Sequence, residues 1–512
     1  MLEEKTDLEK EKQELKNPLE IKGESKKELT IYQKKINENY FYFLMLSVCF
    51  AVCYVLGTYK IESGVGVFVA TVGELICFWL LIKKWEITIK KDMVFYIGMI
   101  IMLSIAMLWT DQYFLHFLQK RAILLLFVMM MLHQLYENRK WSLKDYVYNM
   151  FVLLVDSIAS LFQPVEQFIE QLQKKTAEMK KGIYVILGVA IAIPLVLVIV
   201  AMLISADAVF KNMVMKLVGN LFLPQNAFLI LFLFFIGFWI FYCFVAGLAK
   251  MEIKEEQKNK KKVEPVIAIT FTSILLIIYV LFCMIQILYL FAGNHLPEGY
   301  TYSSYARRGF FELLFVSVIN FLMIVICNIN FQRSKWLDGI LIGVSICNMI
   351  LIASSAYRMM LYIEAYHLTT MRVLVLCFLA ALTVSMIGVV YSVLKKEYCL
   401  FRYIFTVGLV FLIGLSVIKP HALIVRYNLN HMQWYSMKDL KYMMNLSLDA
   451  APELAKIDVD KIVTEDNENA EHIMKEYFLE IKEKCEKRQI RAYHIGVKQA
   501  ENAAKEYLKN IE

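Results

Sequence analysis

Hydrophobic positions in this chain fall in long unbroken blocks separated by short polar islands, with few alternating stretches. A bilayer core of ~30 Å takes about 20 apolar residues in helix. Eleven runs approach that length: 40–58, 64–82, 93–109, 113–136, 183–205, 226–249, 265–293, 310–330, 336–356, 372–394 and 401–418. The fourth is interrupted by Lys120 and Arg121, and only 122–136 is clean. The pattern predicts an all-α protein, a polytopic helical membrane bundle of about eleven spans with a small helical C-terminal extramembrane domain. The first run follows 39 polar-rich residues, too long a leader for a cleavable signal peptide, so it reads as a retained anchor.

Three segments depart from the block pattern. Residues 1–39 carry 9 lysines and 10 acids, a solvated charged arm. Residues 141–181 contain YVYNMFVLLVDSIASLF, at 146–162, and continue through Pro164 into QFIEQLQKK, so an amphipathic helix along the inner membrane surface is expected, with Phe151, Val155 and Leu161 towards lipid or core. Residues 419–512 form the tail. Its S-x-x-D start at Ser436 and apolar Leu440, Met443, Met444 and Leu448 predict a capped helix. Two more helices are expected near 468–488 and 490–509.

Composition agrees with membrane residence. Apolar residues make up 59% of the chain and charged residues 20%, with a mean hydropathy of +0.52. Typical soluble proteins have roughly 45–50% and 25%, which excludes an ordinary multidomain soluble protein and a disordered chain. The net charge of +8 lies mostly on one side of the predicted bundle. With the N-terminus inside, inner segments hold 31 Lys and Arg against 10 in outer loops. That is the positive-inside bias, and it leaves the tail outside. Counting 146–162 as a span would put the loop KMEIKEEQKNKKK outside, which speaks against that span. The charge therefore points to no nucleic acid, and membrane lipids are the expected partners, with a protein partner open to the tail. Ten cysteines include no CxxC pair and lie mostly in apolar runs, as packing residues.

Ionisable groups within or beside spans are the candidate functional residues, because a charge in lipid is costly. Glu74 lies mid-span and Asp207 just past the fifth run. Arg307, Arg308 and Glu312 sit in YARRGFFELL, and Arg358, Tyr362, Glu364, His367 and Arg372 in YRMMLYIEAYHLTTMR. Both stretches flank outer loops, so Glu312 or Glu364 is expected to pair with an arginine of the other stretch. That cluster could bind an anionic headgroup or solute, or serve as a static clamp. Arginines at span ends also snorkel, and Asn320, Asn328 and Asn348 read as interhelical contacts. Glu364 and His367 lack a third ligand nearby, so no metal is expected. Phosphate-loop, zinc-protease, serine-hydrolase and kinase motifs are absent, and no cofactor is expected.

YARRGFFELLFVSVIN, RMMLYIEAYHLTTMR, ADAVF, RYNLNHM and DLKYMMNLSLDAAPEL resemble the bacterial multi-pass membrane proteins of domain-of-unknown-function families 4153 and 4173, over about 180–460. The resemblance implies a bacterial plasma-membrane location and no assigned chemistry. At His367 the family is expected to favour Gly. Three functions stay open. Transport or lipid and solute handling ranks first, then a sensor or scaffold using the tail. An enzyme at the outer leaflet comes third and requires Glu312, Glu364 and Asp207 to converge.

The charge bias makes a direct prediction. In a variant cleared of native cysteines, Asn467→Cys labels from outside intact cells and Asn259→Cys does not. Labelling at 259 alone reverses the topology.

Overall fold

The computed structural model describes residues 29–137, 141, 143–175, isolated positions between 188 and 204, and 206–219, 227–251, 263–288, 309–395, 398–463 and 470–511. Most of the charged arm, most of the fifth apolar run, the loop 252–262, Arg307 and Arg308 lie outside these residues.

A backbone in hydrocarbon must satisfy its own hydrogen bonds, which selects helix for every long apolar run. The chain forms α1 (Ile31–Glu38), α2 (Tyr40–Thr58), α3 (Val65–Lys84), α4 (Met93–Ala106), α5 (Tyr113–Leu135), α6 (Leu143–Ile158), α7 (Gln163–Lys175), α8 (Ala208–Gly219) and α9 (Ala227–Lys250). Then follow α10 (Pro265–Gln286), α11 (Phe310–Asn330), α12 (Lys335–Tyr366), α13 (Thr370–Leu394) and α14 (Leu400–Ile418). Nine helices among the described residues are long and apolar enough to cross a membrane, ten if α6 and α7 count as one bent span. Nine of the eleven expected runs are thus matched. The third run forms the short α4, and most of the fifth is not described.

Contacts sort the connections into two ends. At one end Lys35 Nζ bonds Trp85 O and Glu86, Lys90 Nζ bonds the carbonyls of His133 and Tyr136, and Tyr136 Oη reaches Met251 O. Arg402 and His133 meet Asp92 there. At the other end the tail meets the α2–α3 and α4–α5 connections, with Val65 N bonding Tyr493 O and Ile495 N bonding Leu108 O. Although α4 is only 14 residues long, about 21 Å, its flanks reach both ends. The α6–α7 pair is bent by 48°. Trp141, before it, accepts from Cys399 Sγ at the first end, and Gln171 donates to Asn37 O at that same end. The pair therefore starts and finishes at one end, and Phe151, Val155 and Leu161 face outward from the protein.

The helices bury two apolar cores. One joins α1 to α6 with α9, around Phe43, Phe78, Leu81, Ile100 and Met130. The other joins α10 to α13, around Ile324, Leu341, Leu379 and Met386. α14 links them, packing on α4, α5 and α13. In the second group Tyr279 Oη bonds Asn320 Oδ1 (2.7 Å), Asn320 donates to Asn348 Oδ1 (3.2 Å), and Asn348 donates to Ser317 O (3.1 Å). Asn328 donates to Ser392. These asparagines bond across helices, as the sequence implies.

The tail continues with α15 (Pro420–His431), α16 (Met437–Met444), α17 (Ala451–Leu454), α18 (Ala470–Glu486) and α19 (Ile495–Ile511). Ser436 and Asp439 form the expected capping box on α16. A short parallel pair, β1 (Tyr435–Ser436) and β2 (Ile462–Val463), ties the segments. Leu440, Met443, Leu454, Met474, Phe478, Val497 and Ala504 form a third core.

The α12–α13 connection is locked onto α15, since Leu368 N donates to Asn428 Oδ1 and Asn428 Nδ2 donates back to Leu368 O. That lock holds His367 at φ +62, ψ −178, a region that L side chains avoid and glycine adopts freely. A glycine there suits the backbone. His367→Gly therefore keeps the fold, with stability unchanged or raised by up to ~1 kcal/mol. A Tm measurement in detergent checks this, and a fall of several degrees shows that the imidazole itself matters.

Candidate functional site

Among the described residues, no ion pair joins the sequence-predicted charges. Glu312 and Glu364 are exposed and make no ion pair with any described residue, so the expected pairing with an arginine of the other stretch is not found among them. The reason is helical phase. Both carboxylates point outward from their helices, whereas Arg358, on α12, is buried. Its guanidinium packs over Gly309, the residue before α11, and faces Gln286 of α10. Arg358 thus does reach the other stretch, but through backbone and amide. Arg372 caps the end of α12, donating to the carbonyls of Tyr366 and His367 and stacking on Tyr362 at 4.3 Å. Asp207 is exposed and accepts from Phe210 N, starting α8. Glu74, beside the Gly73–Cys53 contact of α3 with α2, makes no ion pair among the described residues. No group of three His, Cys, Asp or Glu side chains among them is placed to hold a metal.

The densest buried polar cluster lies where the tail meets the bundle. Thr110 and Asp111 belong to the α4–α5 connection, WTDQ. Asp449 comes from the tail's LDAAPEL stretch, and Arg488 and His494 from the α18–α19 connection. Asp449, 3% exposed, accepts at Oδ2 from Thr110 Oγ1 (2.5 Å) and from Asp111 N (2.8 Å). Asp111 in turn accepts at Oδ1 from Arg488 Nη2 (3.0 Å) and His494 Nε2 (2.9 Å). Two glycines permit the close docking. A Cβ on Gly64, at φ +118, would sit 2.7 Å from the backbone of Arg491 and Ala492, and one on Gly496 would sit 2.7 Å from Asp449 Oδ1.

Charge and burial oppose each other at these groups. Burial pushes Asp111 up, but the bond from His494 and the Arg488 charge outweigh it and hold its carboxyl below the usual aspartate value. Burial raises Asp449 despite its bonds to Thr110 and Asp111. His421 of α15, which accepts from Ser447 N at Nδ1, is pushed down to about 4 by burial against a smaller opposing pull from Asp111.

Beside this cluster opens a cleft of about 480 Å³, lined in part by Lys60, Glu62, Asp111, His116, Lys487 and Arg488. His116, on the first turn of α5, is 1% exposed, and neither ring nitrogen makes a hydrogen bond of good geometry, Gln119 being the side chain that interacts with it. Its ring lies 6.3 Å from that of His494, whose Nδ1 is without a hydrogen-bond partner. Unpaired polar atoms at such depth cost free energy, so this wall suits a polar ligand. Gln112, His116 and Gln119 repeat at i, i+4 and i+7 on the buried face of α5. The i, i+4, i+7 spacing of these three polar residues, at the start of the fourth apolar run, is the sequence signal for that stripe.

Asp111→Ala leaves Arg488 and His494 without their shared acceptor. It should weaken tail docking by about 2–4 kcal/mol, read as faster hydrogen exchange in 470–511. Acid should do the same through His421. Its folded value lies below the unfolded ~6.5, so its contribution is complete above that pH and is lost as pH falls towards about 4. Asp449, raised by burial, opposes this trend. His421→Asn, which keeps an acceptor for Ser447, should flatten the acid limb of a Tm–pH profile. An unchanged limb assigns it to other groups.

Neither a curated protein nor a solved structure matches the chain. The family described as a domain of unknown function (DUF4153) matches residues 97–457, which includes Thr110, Asp111, His116, Arg358, Asn428 and Asp449 and leaves Arg488 and His494 beyond it. The chain, a multi-pass helical membrane protein, belongs to that family.

Proposed function

We propose that the protein handles a small anionic solute or headgroup at the outer membrane surface, in transport or in lipid and solute handling. In this reading the N-terminus and the Lys-rich loops are cytoplasmic and the tail is extracytoplasmic. The α6–α7 pair lies along the inner surface, since α7 reaches Asn37 at the end where α9 arrives only at its last turn, beside Thr30.

The observation carrying the proposal is the cleft under the tail, with His116 buried in its wall and Lys60, Lys487 and Arg488 around it. Inorganic phosphate is a suitable probe. It should stabilise the purified full chain, and His116→Phe should reduce its apparent affinity about tenfold while leaving the Tm without phosphate within a few degrees. Equal phosphate response in both proteins overturns the site.

A scaffold role for the tail is the second reading, favoured by Trp434 and Ile490, which are exposed on it. The enzyme reading calls for Glu312, Glu364 and Asp207 together, and they form no group among the described residues.

A further inference from the structure

A second cleft, of about 450 Å³, lies on another side of the junction. Its lining includes Trp109, Val417, Ile418, Lys419, Arg426 and Asp449, with Glu453 behind Arg426. Val417 and Ile418 form the last turn of α14 and are exposed, as is Trp109. An exposed apolar turn and a tryptophan mark the membrane–water boundary, so the floor of this cleft is continuous with the lipid-facing surface of a span.

Charge alternates above that floor. Arg426 Nε and Nη2 both donate to Glu453 Oε1. Lys419 Nζ donates to Gln499 Oε1, stands 5.8 Å from the centre of the Trp109 ring, and lies 3.8 Å from Asp449 Oδ1, too far for a hydrogen bond. Asp449 Oδ1 has no hydrogen-bond partner although the residue is 3% exposed. Its other oxygen, Oδ2, is already held by Thr110 and Asp111. The cleft thus offers an open acceptor beside cations that retain unused donors. Two cations and two carboxylates make it neutral as a whole.

We propose that this cleft binds the headgroup of a zwitterionic, amine-bearing phospholipid of the phosphoethanolamine class. The phosphate accepts from Lys419 and Arg426, the ammonium donates to Asp449 Oδ1, and an acyl chain runs over Val417 and Ile418 past Trp109. An anionic lipid without an amine leaves Asp449 Oδ1 unpaired. A choline headgroup has no N–H to donate to it. The proposal rests on the reading that this end of the bundle lies at a membrane surface, and it does not require the phosphate site at His116.

The test uses the purified full chain in detergent, with Tm followed during titration with dioleoyl phosphatidylethanolamine, phosphatidylglycerol, phosphatidylcholine and free phosphoethanolamine. The ethanolamine lipid should stabilise at about tenfold lower concentration than the other two lipids, and the free headgroup should have little effect. Arg426→Ala removes an exposed side chain, and Lys419→Gly suits the positive φ of 53 at that position, so both variants should fold. Each should raise about tenfold the concentration of ethanolamine lipid needed for stabilisation while keeping the phosphate response. His116→Phe should keep the lipid preference, so the two sites fail separately. Equal stabilisation by all three lipids overturns the proposal. So does equal stabilisation by free phosphoethanolamine, and so does an unchanged response to the ethanolamine lipid in both variants.

Discussion

One desolvated carboxylate organises the tail-bearing end of this molecule. Asp449 leaves water on folding and recovers two hydrogen bonds at Oδ2, from a hydroxyl and a peptide N–H of the α4–α5 connection. A buried charge is tolerated only when such donors replace water. The peptide that donates belongs to Asp111, whose own carboxylate then holds Arg488 and His494. The tail's docking, the two clefts beside it and the placement of His116 all depend on that chain of acceptors and donors.

This arrangement also explains why the tail is a cap and not a tether. α15 follows the last span with one left-handed residue, Lys419, and Pro420 begins the new helix. Asn428 bonds the α12–α13 connection in both directions and Tyr442 Oη accepts from Thr370 N. Arg426 and Glu453 then join α15 to α17. The stretches YHLTT, RYNLN and LDAAPEL, far apart in sequence, meet as one hydrogen-bonded layer over the second helical group. The family match ends at 457, and the distal helices α18 and α19 attach to this layer through Asp111 and Gly496.

The opposite end is held differently. There the contacts are single cations placed on helix C-terminal carbonyls, as Lys90 is on His133 O and Tyr136 O, where the helix dipole favours positive charge. Asp92, His133, Arg402 and Tyr96 add a small ionic group. Neither end draws on Glu312 or Glu364. Their outward phase leaves both exposed on the surface of their helices.

Length and hydropathy in the sequence determined that the chain is a helical membrane protein, because a bilayer forces helix on any apolar run of about 20 residues. Family membership was legible as well, in motifs such as RYNLNHM and LDAAPEL. Ser436 and Asp439 announced a helix start because a capping box is local in sequence. The candidate site was not legible. Asp111 and His494 are separated by 383 positions, and nothing local marks either as the other's partner. Arg358 looked like a salt-bridge residue, yet the fold aims it at Gly309 and Gln286, since helical phase and neighbouring backbone choose a side chain's partner. Only the tertiary structure decided which polar residues left water together, because burial belongs to the packed assembly and not to any single run of residues.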